Sequence, residues 1–139
     1  MTELRIEPIF EGNDSISIVS TAGESDRVAE FLTSLNDRVR SRFHYFFLKL
    51  SMKMRLKSPQ HMRQIKGVRD PYGKGAEVHE LKVDVSPGYR VYLVRFNNRW
   101  FVTHGRKGKP KDRDVPKEAE KALSIFYSDM GQIQEGEDQ

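Results

Sequence analysis

Three short runs of alternating apolar and polar residues between Glu80 and His104 constrain the fold of this chain more than any other feature. The first run reads ELKVDV over 80–85, the second spans Tyr89 to Phe96, and the third spans Trp100 to His104. Alternation with a period of two residues is typical of a strand that is buried on one face. Turn signals, Ser86-Pro87-Gly88 and Asn97-Asn98, separate the runs. The stretch therefore predicts an antiparallel three-strand meander.

The length of the first turn decides which side chains share a face of this meander. A three-residue turn with a left-handed Gly88 places Asp84 opposite Arg90 and Lys82 opposite Tyr92, and a five-residue turn keeps the same parity. Either odd length puts the apolar side chains on one face and Lys82, Arg90 and Tyr92 on the other. We therefore predict an apolar face covered by helices and a polar face open to solvent.

The first 20 residues predict one or two short strands. Apolar and polar residues alternate from Leu4 to Phe10 and again from Ser15 to Ser20, on either side of a turn at Gly12. Pro8 lacks an N–H group, which is typical of an edge strand. Residues 15–20 are the better candidate for a strand of the central sheet, and 1–14 are predicted to be an N-terminal extension.

Two helices are predicted before the meander. The first follows Ser25 or Asp26, and Asn36 can cap the second. The second helix carries apolar residues at helical spacing as far as Met54 and is predicted to end at Pro59. Its opposite face is basic, which is typical of a solvated face and less often of a binding surface.

The remaining segments predict a loop, a helix and a tail. Residues 60–76 have no periodicity and several glycines, so a long basic loop is expected. Asp114 can cap a short last helix, and 129–139 are acidic and nearly free of apolar residues, which predicts a disordered tail. We hypothesise that this tail weakly inhibits the basic face. The fold class is α+β, with one domain over 15–128.

Composition narrows the function classes. The chain has 139 residues, a net charge of +4 and no cysteine, and its pI is about 9.4. A basic balance favours an anionic partner, and the lack of cysteine excludes disulfides and thiol chemistry. The histidines lack ligand spacing, so no metal site is predicted. With no signal-peptide pattern and no long apolar run, a cytoplasmic protein without membrane contact is expected.

Three segments resemble one family of bacterial toxins. ELKVDVSPGYRVY over 80–92 is similar to the second and third strands of the RelE/ParE toxin superfamily, in its HigB-like, phage-associated addiction-module killer branch. AEFLTSL over 29–35 resembles the first helix of that branch, and His104-Gly105 with the lysines that follow resembles the end of its last strand. The predicted strand over 80–85 has a single lysine, Lys82, which is flanked by Glu80 and Asp84. The RelE pattern has a cluster of lysines on the corresponding strand.

The resemblance implies a RelE-like fold and a toxin of a type II toxin–antitoxin system. Such a protein is expected to be a ribosome-dependent endoribonuclease that cleaves mRNA without a metal or another cofactor and so inhibits translation. Its expected partners are the ribosome with its mRNA and an antitoxin, which is expected to be a helix-turn-helix protein. The expected catalytic residues are Arg90, Lys82, His104 and Arg106, and the expected RNA-binding residues are Tyr92, Lys107, Lys109 and Lys111.

These residues suit that chemistry, although other interpretations stay open. Arg90 can hold two phosphate oxygens, Lys82 can add positive charge or act as a base, and His104 can transfer protons near neutral pH. Alternatively, Arg90 pairs with Asp84 within the hairpin, and His104 points to the Val91 face as a packed core residue. Other members of the superfamily inhibit DNA gyrase, and a module that only binds nucleic acid or a protein is the third possibility.

Overall fold

The structure is a computed structural model that describes residues 4–21 and 27–137. It is an α+β fold in which a mixed six-stranded sheet has helices on both faces. The strands are β1 (Leu4–Phe10), β2 (Asn13–Thr21), β3 (Met62–Gln64), β4 (Glu77–Val83), β5 (Tyr89–Phe96) and β6 (Arg99–Lys107). The helices are α1 (Arg27–Thr33), α2 (Asp37–Ser51) and α3 (Val115–Glu137), and a short 3-10 helix (Asp112–Asp114) precedes α3.

The predicted meander is confirmed as β4, β5 and β6 at the centre of the sheet. The strand order is β1-β2-β6-β5-β4-β3, and every pair is antiparallel except β2 with β6. The edge position predicted from Pro8 is also correct, because β1 pairs only with β2. The expected long loop over 60–76 contains β3, which extends the sheet by pairing Met62 with Leu81. Three residues are too few to show a period in the sequence.

The first hairpin has the predicted parity, with the longer of the two turns. Val83 pairs with Tyr89 and Lys82 with Arg90, so the turn consists of the five residues 84–88. The register of the three-residue turn, with Asp84 opposite Arg90, is therefore wrong. Lys82, two residues before Asp84, lies opposite Arg90. Gly88 has a φ of 92°, which is the left-handed conformation expected for it.

The second hairpin contains an irregularity that the sequence does not announce. Phe96 pairs with Arg99, so Asn97 and Asn98 form a two-residue turn with φ values of 52° and 61°. Further along, Tyr92 pairs with His104 but Leu93 pairs with Val102, which leaves Thr103 as the extra residue of a β-bulge. The bulge places His104 on the face of Tyr92, so the alternative in which it points to the Val91 face is wrong.

Helices α1 and α2 cover the apolar face, as predicted. Val39, Phe43, Phe46, Phe47 and Leu50 of α2 are buried against Leu81, Val91, Leu93 and Val102 of the sheet. The Asn36 side chain accepts a hydrogen bond from Val39 N at 3.0 Å, which confirms it as the N-cap. The helix ends at Ser51, eight residues before Pro59, because Lys53 adopts a left-handed φ of 60°.

Helix α3 covers the other face, and this overturns the prediction of an open polar face. Its apolar residues Ala119, Ala122, Leu123 and Phe126 pack against Tyr92, Val94 and Phe101. The helix continues to Glu137, through most of the segment expected to be disordered. Within the described residues, no helix combines the length and the apolar character needed to cross a membrane.

Candidate functional site

The candidate site is a block of polar side chains on the α3 face of the three central strands. In one row across β4, β5 and β6, the register aligns Lys82, Arg90 and Arg106. In the adjacent row it aligns Glu80, Tyr92 and His104. The structure therefore brings together, on one face, all four residues that were expected to be catalytic.

Arg90 lies at the centre of this block and is almost completely buried. Its Nη1 donates to Asp84 Oδ1 at 2.9 Å and to the Tyr89 carbonyl at 3.0 Å. Its Nε lies 3.7 Å from Glu80 Oε1. The ion pair with Asp84 is the contact that the alternative interpretation of Arg90 predicts. Because Asp84 is a turn residue with 64% of its side chain exposed, it can leave Arg90 at little cost in packing.

Glu80 and Tyr92 form the fully buried part of the block. Glu80 Oε1 accepts from Arg63 Nε at 3.0 Å. Glu80 Oε2 and the Tyr92 hydroxyl have no hydrogen-bond partner among the described residues. Burial, with the nearby charge of Glu80, raises the pKa of Tyr92. Tyr92 is 0% exposed, so its ring is not available to stack on a nucleotide base as expected.

His104 is also buried, and it is tied to α3. Its ring stacks on Tyr92, with 4.7 Å between centroids, and its Nε2 lies 2.7 Å from Glu118 Oε2. Burial lowers the pKa of His104 to about 4, although Glu118 opposes the change. Burial by itself would raise the pKa of Glu118, but hydrogen bonds from His104 and Arg106 hold it below its usual value. A neutral His104 therefore donates to an ionised Glu118 and does not meet solvent.

The accessible part of the block is formed by Lys82 and Arg106. Burial and the charge of Arg63 lower the pKa of Lys82, and Glu80 partly offsets them. Arg106 is 32% exposed, and its Nη1 donates to Glu118 Oε1 at 3.2 Å. These two side chains combine partial burial with access, which is the environment that phosphate-binding cations need.

Exposed lysines border the block where β6 ends. Lys107, Lys109 and Lys111 are all exposed. Gly108 N donates to Gly88 O at 2.8 Å, which holds this segment against the turn of the first hairpin. The expected RNA-binding lysines therefore lie beside the row of Lys82, Arg90 and Arg106.

A second basic surface, which was not predicted as a site, lies where the end of β4 meets α2 and the segment before β3. A groove of about 330 Å³ is lined by residues that include Arg38, Arg42, His61 and Lys82. Lys82 N donates to His61 O at 2.8 Å, and Arg42 Nη2 lies 3.3 Å from His61 Nε2. Burial and then the Arg42 charge lower the pKa of His61. The only signal in the sequence is the four-residue spacing of Arg38 and Arg42 on the basic face of the helix.

The block offers positive charge and hydrogen-bond donors. In residues 4–21 and 27–137, no group of three or more histidine, aspartate and glutamate side chains is arranged to hold a metal ion. Guanidinium and ammonium groups stabilise phosphate oxygens and the charge that develops on them during phosphoryl transfer.

Comparison of the chain with family models, with curated proteins and with solved structures found no match.

Proposed function

We propose that this chain is the toxin of a type II toxin–antitoxin system and that it cleaves mRNA on the ribosome without a metal ion. The observation that carries the proposal is the row of Lys82, Arg90 and Arg106 on three adjacent strands, bordered by exposed lysines. The HigB-like segments supply the same arginine and lysine. The order of strand, two helices, antiparallel strands and helix from β2 to α3 supports a RelE-like fold.

In this mechanism the scissile phosphate replaces the Asp84 carboxylate at Arg90. A guanidinium binds two phosphate oxygens in a fixed geometry, so Arg90 and Arg106 together stabilise the charge of the phosphorane. Lys82, whose pKa is lowered, removes the proton from the 2′-hydroxyl. The 2′-oxygen then bonds to phosphorus as the bond to the 5′-oxygen breaks, and an ammonium group of the exposed lysines protonates that oxygen.

His104 has a different role from the one expected of it. Its ring is 3% exposed, and Glu118 lies between it and the accessible cations through the bond to Arg106. His104 is therefore a positioning residue that orients Glu118, which in turn orients Arg106. The proposed partners are the ribosome with its mRNA and an antitoxin protein, in the cytoplasm.

The test is induced expression in bacteria, with growth measured and transcript ends mapped. Wild type is compared with Lys82→Gln and Arg106→Gln, which change accessible side chains, and with Lys66→Gln, an exposed lysine of the β3–β4 loop. We expect arrest with new ends inside translated messages for wild type and Lys66→Gln, and neither for the two site variants. Circular dichroism shows whether all four proteins are folded. New ends that persist in both site variants would refute the assignment.

A second candidate is a module that binds nucleic acid or a protein without cleaving anything. It is favoured by the burial of Arg90 and His104, at 2% and 3% exposure. It predicts RNA binding by purified wild type with no new transcript ends and no arrest. Arrest without new ends would instead point to inhibition of DNA gyrase, which a supercoiling assay with the purified proteins measures directly.

A further inference from the structure

A separate pocket lies on the α2 face of the sheet, at the ends of the strands away from the first hairpin. Its volume is about 570 Å³, and its lining includes Lys53, Met54, Arg55, His79, Arg95 and Trp100. This volume is within the range of small-molecule sites in proteins. The residues come from β4, β5, β6 and the segment that follows α2.

Strand parity separates this pocket from the row of Lys82, Arg90 and Arg106. His79 precedes Leu81 by two residues, Arg95 follows Leu93 by two, and Trp100 precedes Val102 by two. Leu81, Leu93 and Val102 all pack in the core under α2. Side chains two residues apart on a strand share a face, so the pocket and the row lie on opposite faces of the sheet.

Trp100 gives the pocket an aromatic wall. The indole is half-buried, and the His79 ring packs against it at 84° with 4.8 Å between centroids. The Arg95 guanidinium lies over the indole, 5.3 Å from its centroid. Indole rings and guanidinium planes are the groups on which nucleotide bases stack in proteins. The contacts with His79 and Arg95 fix the orientation of the indole.

The charge of the pocket is strongly positive. Among the described residues, no carboxylate lies within ion-pairing distance of Lys53, Arg55 or Arg95. No acidic side chain is among the lining residues. Glu77 lies opposite Arg95 in the register of β4 and β5, and its Oε1 lies 3.6 Å from His79 Nε2. Unpaired cations around a concave surface select an anionic ligand.

We propose that this pocket binds a nucleotide, with the base against Trp100 and Arg95 and the phosphate at Lys53 and Arg55. The left-handed backbone at Lys53, which ends α2, turns the basic segment 53–55 toward the strands. The apolar side chain of Met54, 47% exposed, also lines the pocket. The nucleotide is either free or an unpaired residue of an RNA strand, because both present a base and a phosphate. The proposal does not depend on cleavage at the other face.

Trp100 is the only tryptophan of the chain, so its fluorescence reports on the pocket directly. Purified full-length protein is titrated with adenosine 5′-monophosphate, with inorganic phosphate, and with a 2′-O-methyl hexa-adenylate that cannot be cleaved by attack of a 2′-hydroxyl. Calorimetry with the same probes gives the affinities independently. We expect a saturable change of Trp100 emission with the nucleotide or the oligonucleotide, and a weaker effect or none with phosphate.

Variants locate the binding. Arg95→Gln and Arg55→Gln each remove one charged contact and should weaken binding by roughly five- to twentyfold. Lys66→Gln removes the same charge elsewhere and should leave binding unchanged. Equal affinity per site for the mononucleotide and the oligonucleotide identifies a free nucleotide as the ligand, whereas much tighter binding of the oligonucleotide identifies RNA. The proposal is overturned if no probe binds, if phosphate binds as tightly as the nucleotide, or if both arginine variants bind like wild type.

Discussion

His104 Nε2 lies 2.7 Å from Glu118 Oε2, and this contact ties the last strand of the sheet to the last helix. The other Glu118 oxygen accepts from Arg106 at 3.2 Å. A single carboxylate on α3 therefore holds one buried ring and one accessible cation of the candidate site. These two hydrogen bonds therefore link α3, which packs on the sheet through its apolar residues, to the geometry of the candidate site.

The lowered pKa of His104 predicts that the protein loses stability in mild acid. The folded pKa of about 4 lies below the unfolded value of 6.5, so the unfolded chain binds more protons between these values. The stabilisation is complete above pH 6.5 and is lost as the pH falls toward 4. This difference in pKa corresponds to roughly 3 kcal/mol, and the lowered pKa values of Glu118 and His79 act in the same direction.

Urea unfolding at pH 7 and pH 4.5 measures this effect. From pH 7 to pH 4.5, the free energy of unfolding of wild type should fall. His104→Gln cannot bind the proton, so its free energy of unfolding should fall by roughly 2 kcal/mol less. His44→Gln changes an exposed histidine of α2 and should retain the wild-type loss. Identical losses in wild type and His104→Gln would show that folding does not lower the pKa of His104.

The second prediction concerns the packing of α1 against β6 at Gly105. A Cβ atom at Gly105 would lie 2.2 Å from Phe31 Cδ2, so α1 sits against β6 only because this position lacks a side chain. Gly105→Ala should destabilise the fold by roughly 1–3 kcal/mol. In a double-mutant cycle, Phe31→Ala should remove most of that penalty, since the clash then has no partner. Additive losses in thermal unfolding would contradict the close approach.

The central sheet was predictable because alternation along β4, β5 and β6 is strong and the turn residues are specific. The sequence also placed Lys82 and Arg90 on one face, because either odd turn length gives that answer. The position of His104 was not predictable. It depends on the bulge at Thr103, and a bulge changes parity without leaving a signal in the residue types.

The packing of α3 on the polar face was not predictable for a related reason. The apolar stripe of α3 was visible in the sequence, but the surface that receives it was not. Tyr92, Val94 and Phe101 bury that stripe, and of these only Tyr92 is among the residues that the sequence analysis predicts for the polar face. Both faces of a central strand can be apolar when helices cover both. Arg90 and His104 are buried as a consequence, which local sequence patterns do not reveal.

Asp70 leads to a third prediction, about the loop between β3 and β4. Its carboxylate accepts from the backbone N–H groups of Tyr72, Lys74 and Ala76 at 2.9–3.0 Å and from the Tyr127 hydroxyl at 2.7 Å. Despite the opposing effect of burial, these bonds lower the pKa of Asp70. Asp70→Ala should release the loop from α3, so trypsin should cleave it several-fold faster.

The matched control for the loop is Asp112→Ala, which removes an exposed aspartate outside it. Its cleavage rate should equal that of wild type. Mass spectrometry of the first fragments should place the new cuts of Asp70→Ala at Arg69 or Lys74. Unchanged cleavage at these two sites would show that the hydrogen bonds to Asp70 do not hold the loop.

The ion pair between Asp84 and Arg90 predicts that Asp84 competes with the substrate. Arg90 Nη1 donates to Asp84 Oδ1 at 2.9 Å, and in the proposed mechanism the RNA phosphate takes that place. Asp84→Asn weakens the pair while preserving the shape of the side chain, so single-stranded RNA should bind roughly three- to tenfold more tightly. Asp112→Asn changes the net charge by the same amount at an exposed position, and it separates a specific effect at Arg90 from general electrostatic attraction. If both variants gain the same affinity, as measured by fluorescence anisotropy at fixed salt, Asp84 does not occupy the phosphate position.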